Sequence, residues 1–171
     1  MKRKWVKKLL GFLLLAIVVL LMYATYNKLL LKHEIKQNLE TLSFDHIYDL
    51  DGRPFRFPEL ANKIPCIIIF FNSTCDFCQN EAIDINANLE RLMQIQIVMV
   101  STESVEEIEA FRDKYKLLSE NVHFARIKND HVIPAFGSTS VPLILVYDAS
   151  GKLLESFNGR TSVSAILKVF D

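Results

Sequence analysis

The sequence predicts an α/β fold, a mixed β-sheet flanked by helices, carried behind an N-terminal transmembrane helix. Three observations predict it. Strand-like apolar runs alternate with helical stretches and finish in a hairpin, an order that leaves helices on both faces of a mixed sheet. A Cys-x-x-Cys, Cys75-Asp76-Phe77-Cys78, separates an apolar run at 64–71 from a helical stretch. The first eight residues carry five positive charges, and no residue from Leu9 to Ala24 is charged.

Taking the elements in order, residues 1–8 form a basic flank that should stay in the cytoplasm. Residues 9–26 form an 18-residue span, near the lower limit for crossing a bilayer at about 1.5 Å per residue. Trp5, Tyr23 and Tyr26 stand near its edges, where amphipathic rings settle. A secretory signal would share this start, but the segment Leu21 to Tyr26 offers no small-x-small cleavage site, since Tyr23 and Tyr26 are bulky. No cysteine closely follows the span, which speaks against a lipoprotein anchor. An uncleaved anchor is expected, with the rest of the chain outside the cytoplasm, where disulfides persist. Residues 27–42 contain neither Gly nor Pro and continue the helix as a stalk.

Residues 43–171 then form one domain of about 130 residues. Two short strands, 41–50 and 54–57, are expected around the turn signal Asp51-Gly52. Pro58 to Ala61 should form a helical turn leading into a central strand, Cys66–Phe71. Gln79 to Met93 reads as a helix and Ile95 to Val100 as a buried strand. Ser104 and Glu107 have capping-box spacing and open a helix to about Leu117. His123–Ile127 alternates as a strand, with a short helix after it. Leu143–Tyr147, a turn at Asp148–Gly151 and Leu153–Phe157 make a hairpin, and Ser162–Phe170 closes the chain as a helix.

Composition limits the function. The 20 basic and 20 acidic residues cancel, and with five of the basic ones ahead of the span the outward part is mildly acidic. No basic stripe with interleaved aromatics appears, so nucleic acid is not an expected partner. Three cysteines are too few for a disulfide scaffold. What remains is the Cys-x-x-Cys. At a strand-to-helix junction the first sulfur meets free backbone N–H groups and the positive end of a helix dipole, which favour a thiolate. The second cysteine, one turn along, is close enough to close a small disulfide ring. That is a redox constellation. A structural zinc site would need about four ligands, and no second cysteine pair exists.

Four segments in order carry a resemblance: DLDGRPFRFPEL, FFNSTCDFCQNE, IVMVSTESVEEIEAFRDKY and SVPLILVYDASGKLLESFNG. Together they resemble the membrane-anchored TlpA/ResA-type branch of the thioredoxin superfamily, over about Ser43 to Phe170. The resemblance implies a thioredoxin-like fold and an extracytoplasmic thiol-disulfide oxidoreductase at the bacterial cytoplasmic membrane, probing protein thiols and disulfides without a cofactor. It implies Cys75 as nucleophile, Cys78 as resolving thiol and a redox disulfide between them. It implies a cis-proline at Pro142 and a substrate-pairing backbone at Val141, with Thr74 and Phe77 at the rim. Glu81, one turn after Cys78, matches a glutamate suited to proton handling. Reduction of substrates is the favoured direction, which requires a membrane electron-donor protein as partner.

The chain departs from the family pattern at three points. Thr74 stands where a tryptophan is common, the pair Asp76-Phe77 lacks the usual proline, and Asp76 adds negative charge that opposes thiolate formation. Simpler readings exist for several residues. Pro142 could only open a strand, and Glu81 could only suit a helix start. Cys66 lies inside an apolar strand as a small hydrophobe, and the charged run Glu103–Arg112 reads as a solvated helix face. Two other functions compete. A Sco-like copper module would use a distant histidine, but Cys-x-x-Cys is one residue short of that motif and neither His123 nor His131 has a supporting pattern, so no metal is expected. A peroxiredoxin-like peroxidase would want a threonine where Asn72 stands and a proline where Ile68 stands.

Overall fold

A computed structural model describes residues 2–42, 44, 46–57 and 63–171. Among the described residues six strands, β1 (Ile47–Asp49), β2 (Cys66–Phe70), β3 (Gln96–Ser101), β4 (Val122–Ile127), β5 (Leu143–Tyr147) and β6 (Leu153–Asn158), join in one sheet. Their spatial order is β1-β4-β3-β2-β5-β6. β4, β3 and β2 run parallel, while β1, β5 and β6 pair antiparallel with their neighbours. The helices are α1 (Lys2–Thr41), α2 (Asp76–Ala87), α3 (Leu89–Leu92), α4 (Val105–Lys114), α5 (Asn129–Phe136) and α6 (Val163–Leu167), with a 3₁₀ turn at Lys168–Phe170.

β2 is the centre of the molecule because every one of its side chains is buried. The two-residue period of a strand divides them between two cores. Ile67 and Ile69 pack with α2, α4 and α6 through Ala82, Ile85, Ile108, Phe111 and Ile166. Cys66, Ile68 and Phe70 pack on the opposite face with Val132, Ala135 and Phe136 of α5. A continuous apolar run is what a strand covered on both sides needs, and here it selects the centre of the sheet.

α1 is a single helix of about 60 Å at 1.5 Å per residue. Its apolar stretch is long enough to cross a membrane, with mean hydropathy 1.9 and none of that window buried in the protein. The far end of α1 is docked on the domain. Asn38 Nδ2 donates to Pro134 O at 3.2 Å, and Leu39 and Leu42 join the second core. Gly137 ends α5 in the left-handed region at φ +69°, and a Cβ there would meet Ile35 Cγ2 at 3.0 Å. Both the backbone turn and the close approach of α1 call for glycine.

Several expectations need correction. The strand expected over 41–50 shrinks to Ile47–Asp49, since α1 runs to Thr41 and Leu42 and His46 take left-handed backbone at φ 50° and 67°. Its expected partner at 54–57 is reduced to one bridge, Tyr48 to Pro54. Two backbone bonds flank that bridge, Asp49 N–H to Arg53 O and Phe55 N–H to Ile47 O, both 2.8 Å, and the Asp49 carboxylate closes the turn by accepting the Arg53 N–H at 2.8 Å. β1 pairs along its other edge with β4. The turn expected at Pro58–Ala61 lies outside the described residues. The helix expected at Gln79–Met93 begins at Asp76 and breaks at Asn88, whose side chain turns back to Asp84 O at 2.8 Å and Asp84 Oδ1 at 3.0 Å. α4 does form the capping box at Ser104 and Glu107, but it stops at Lys114, and Lys116 takes φ 55°. The C-terminal helix holds only to Leu167 before tightening to a 3₁₀ turn.

Candidate active site

β2 and β3 end side by side, and the chain beyond β2 leaves the sheet at Phe71, whose N–H still reaches Val100 O at 2.9 Å. Asn72 organises the turn that follows. Its Oδ1 accepts the Thr74 N–H at 3.0 Å and the Thr74 hydroxyl at 2.6 Å, and its carbonyl accepts the Cys75 N–H at 3.2 Å. Such Asx geometry delivers a chain from strand to helix without leaving donors unpaired. Cys75 is then the N-cap of α2, with φ −79° and ψ 118°. Its carbonyl accepts the Gln79 N–H at 3.0 Å, and its sulfur accepts the Cys78 N–H at 3.4 Å. The sulfur occupies the place usually taken by a Ser or Asp oxygen at a helix start, where an anion is stabilised.

The two thiols of the pair differ sharply. Cys75 is half-buried, while Cys78 is 1% exposed. Burial pushes the Cys78 thiol up to about 12, the Asn72 backbone hydrogen bond pulls the other way, and Cys75 and Glu81 add to the rise. One sulfur is presented and the other withheld. Beside them Phe77 is 61% exposed, and Asp76 and Thr74 also face solvent. Across from α2 the Val141–Pro142 peptide is cis, and the Cys75 thiol donates to Val141 O at 3.7 Å. Pro142 is buried, and its carbonyl accepts the Gly159 N–H at 2.8 Å.

Glu81 lies under this pair on the buried side of α2, 1% exposed. Its Oε2 accepts the Thr161 N–H at 2.9 Å, while Oε1 has no hydrogen-bond partner. Burial is the main cause that lifts its carboxyl to about 7; the Thr161 bond and the Arg160 charge oppose the rise, and the Asp84 charge adds to it. Asp84, one turn on, holds the Val163 N–H at 2.9 Å. The two carboxylates therefore tie α2 to Thr161 and to the first residue of α6.

One residue of this neighbourhood escapes the sequence reading. Glu103 does not belong to a solvated face, because its carboxylate accepts hydrogen bonds from Asn72, Ser73 and Ser101. A signal was available: the polar segments Asn72-Ser73-Thr74 and Ser101-Thr102-Glu103 follow adjacent parallel strands and must meet at their C-terminal ends.

The AhpC/TSA family profile matches residues 35–166, more than half of the chain. The chain belongs to the AhpC/TSA family. DsbF of Mycobacterium tuberculosis, solved in mixed oxidised and reduced forms, is similar at 23% identity and TM-score 0.60, over 78% of this chain and 95% of that one. A secreted Mycobacterium tuberculosis disulfide oxidoreductase homologous to E. coli DsbE is similar at 23% identity and TM-score 0.57, over 78% and 97%. StoA from Bacillus subtilis is similar at 13% identity and TM-score 0.58, over 74% and 96%. At these identities the likeness establishes the thioredoxin-like fold. Comparison with curated proteins gave no match.

Within this AhpC/TSA chain the remaining candidates fall elsewhere. Cys66 is fully buried opposite Tyr147, and burial pushes its thiol up to about 12. His123 bonds Gln96 Oε1 at 2.9 Å, and burial lowers its pKa. His131 stacks on His46 with ring centroids 3.9 Å apart. Among the described residues no group of three or more His, Cys, Asp or Glu is placed to hold a metal. At the positions where peroxidase chemistry wants threonine and proline, Asn72 builds the turn and Ile68 is core.

Proposed function

We propose that this protein is a membrane-anchored, extracytoplasmic thiol-disulfide oxidoreductase of the TlpA/ResA type that reduces disulfides in protein substrates. The observation that carries the reading is Cys75: a half-buried sulfur capping α2, paired with a buried Cys78. Cys75 thiolate attacks one sulfur of a substrate disulfide, and the other leaves as a thiolate that takes a proton. The Cys78 thiol, after giving up its proton, attacks Cys75 and releases the second substrate sulfur. Two electrons pass to the substrate and the pair is left as a disulfide, so a membrane electron-donor protein has to restore the dithiol.

Each neighbour has a role in this scheme. Glu81, with a carboxyl near 7, accepts the Cys78 proton and returns it. Val141, beside Pro142, lines up an extended substrate by backbone hydrogen bonds, and Thr74 and Phe77 contact its side chains. The basic flank at 1–8 ahead of the apolar helix supports an outward-facing domain.

The test uses the full chain in detergent, because Ile35, Asn38 and Leu39 of α1 are packed on the domain and truncation near Thr41 would strip them. The Cys75–Cys78 couple is equilibrated with dithiothreitol buffers and free thiols are alkylated. A potential near or below about −270 mV supports a reductant, and one near about −120 mV reverses the direction. Failure to form the disulfide, with copper bound in a Cys75-dependent way, would replace the reading by a metal module. Peroxide consumption faster than reduction of a disulfide protein would replace it by a peroxidase.

A further inference from the structure

Beyond Phe71 the loop that delivers Cys75 is no longer held by the sheet. It is held by one carboxylate. Glu103 accepts the Ser73 N–H at 2.8 Å, the Ser73 hydroxyl at 2.7 Å, the Asn72 amide at 3.1 Å and the Ser101 hydroxyl at 3.0 Å. An ionised carboxylate has about four acceptor sites, so these four donors saturate it. Ser101 is the last residue of β3 and is fully buried, which gives the carboxylate a fixed base. The Glu103 N–H returns to the Ser101 hydroxyl at 3.3 Å and closes the arrangement. On the loop side, Asn72 is held through both ends of its amide group, by Glu103 and by Thr74, and its carbonyl takes the Cys75 N–H. Only one residue therefore separates Glu103 from the backbone of the presented cysteine.

We propose that Glu103 is a positioning residue for the Cys75–Cys78 dithiol: by clamping Asn72 and Ser73 to the end of β3 it sets where α2 begins and holds the Cys75 sulfur over the Cys78 N–H. This rests on the dithiol reading given above. Glu103 has no hydrogen bond to either sulfur, so its influence runs through the loop. Two consequences of removing it have opposite signs. Loss of a negative charge near the pair would make thiolates easier to form. Loss of the clamp would let the Cys75 cap geometry relax and would free the Asn72 backbone, which pulls the Cys78 thiol down. With the charge already satisfied by four donors, the clamp dominates.

The experiment follows the pH profile of Cys75 alkylation in the full chain, with Cys78 alkylation, disulfide exchange with glutathione and thermal unfolding measured in parallel. Glu103→Ala is expected to move the Cys75 profile up by about one pH unit, about tenfold in rate at pH 7. It should also change the exchange constant about tenfold, or about 30 mV. Glu103→Gln, which keeps an acceptor oxygen but no charge, falls between wild type and Glu103→Ala. Glu106→Ala, which removes an exposed charge on α4, leaves all four readings unchanged. If Glu103→Ala does not fold, Ser73→Ala deletes one donor only and should shift the profile the same way by less. A profile that moves down in pH, or one that stays put while the melting temperature falls, overturns the proposal. If the wild type fails to reduce a disulfide protein while Glu103→Ala still moves the alkylation profile, the reductase reading falls and the clamp stands.

Discussion

Cys66 and Cys75 sit at the two ends of one strand and its exit loop, yet they are chemically unlike. Cys66 opens β2 inside the sheet, faces the α5 core and has only apolar surroundings and Tyr147 beside it. The Tyr147 hydroxyl itself is buried without a hydrogen-bond partner, and burial raises its pKa. Cys75 lies beyond the C-terminal end of the strand, where the backbone stops pairing with β-neighbours and begins to offer helix N–H groups. The difference teaches that the strand's polarity, rather than the residue type, decides which thiol can react. N–H groups left free at a helix start gather at the C-terminal end of a parallel strand, and none is on offer in the middle of a ladder.

The largest test of that contrast is Cys75→Ser. Reduction of a disulfide protein should fall about 10³-fold or more, to background, while Cys78→Ser should accumulate a mixed disulfide visible on a non-reducing gel. Next is the order of thiol modification. With its thiol pushed up to about 12, Cys66 holds about one part in a hundred thousand as thiolate at pH 7. Mass spectrometry after brief iodoacetamide treatment should find Cys75 labelled and Cys66 unlabelled until denaturant is added. Labelling of Cys66 first would break the comparison.

A subtler prediction concerns pH. The Glu81 carboxyl is raised from its ordinary 4.5 to about 7 in the folded chain. Between those values the unfolded chain releases the proton that the folded chain keeps. The stabilising contribution is therefore full below about 4.5 and is lost as pH rises towards 7. The loss is about 3 kcal/mol at most. Glu81→Gln should flatten the fall in melting temperature between pH 5 and 8, read by calorimetry on the full chain in detergent. The smallest effect is expected for Cys66→Ala, which removes one buried sulfur at a cost of about 1 kcal/mol in denaturant unfolding and leaves reduction rates unchanged.

Much of this was readable from residue order. β5 falls on the expected residues because a five-residue apolar run bounded by a proline and a turn has no other way to be buried. Ser104 and Glu107 announce their own cap, since both partners of the reciprocal bond are local. The position of Cys75 was legible for the same reason. What stayed hidden depends on partners far away in the chain. β1 keeps only the Tyr48–Pro54 bridge to the segment after its turn, and only the register Ile47 to Ile127 shows that its strand partner is β4. Glu103 looked like one more surface charge because its ligands lie about thirty residues upstream. Asn88 breaks the helix through a local bond to Asp84, but Asn and Asp at that spacing also occur inside intact helices.

The continuity of α1 gives the molecule a fixed phase. The same helix that presents bare apolar side chains at 13–26 grips α5 at Ile35 and Asn38, nine and twelve residues beyond Tyr26. Over such a distance a helix transmits rotation as faithfully as length. Adding one residue to the intervening segment would swing the redox end around the helix axis by about 100° and lift it about 1.5 Å, while adding a whole turn would lift it about 5 Å and nearly restore its heading. The helix behaves as a keyed shaft, and the heading of Cys75 relative to the apolar stretch of α1 is written in the number of residues between Tyr26 and Ile35.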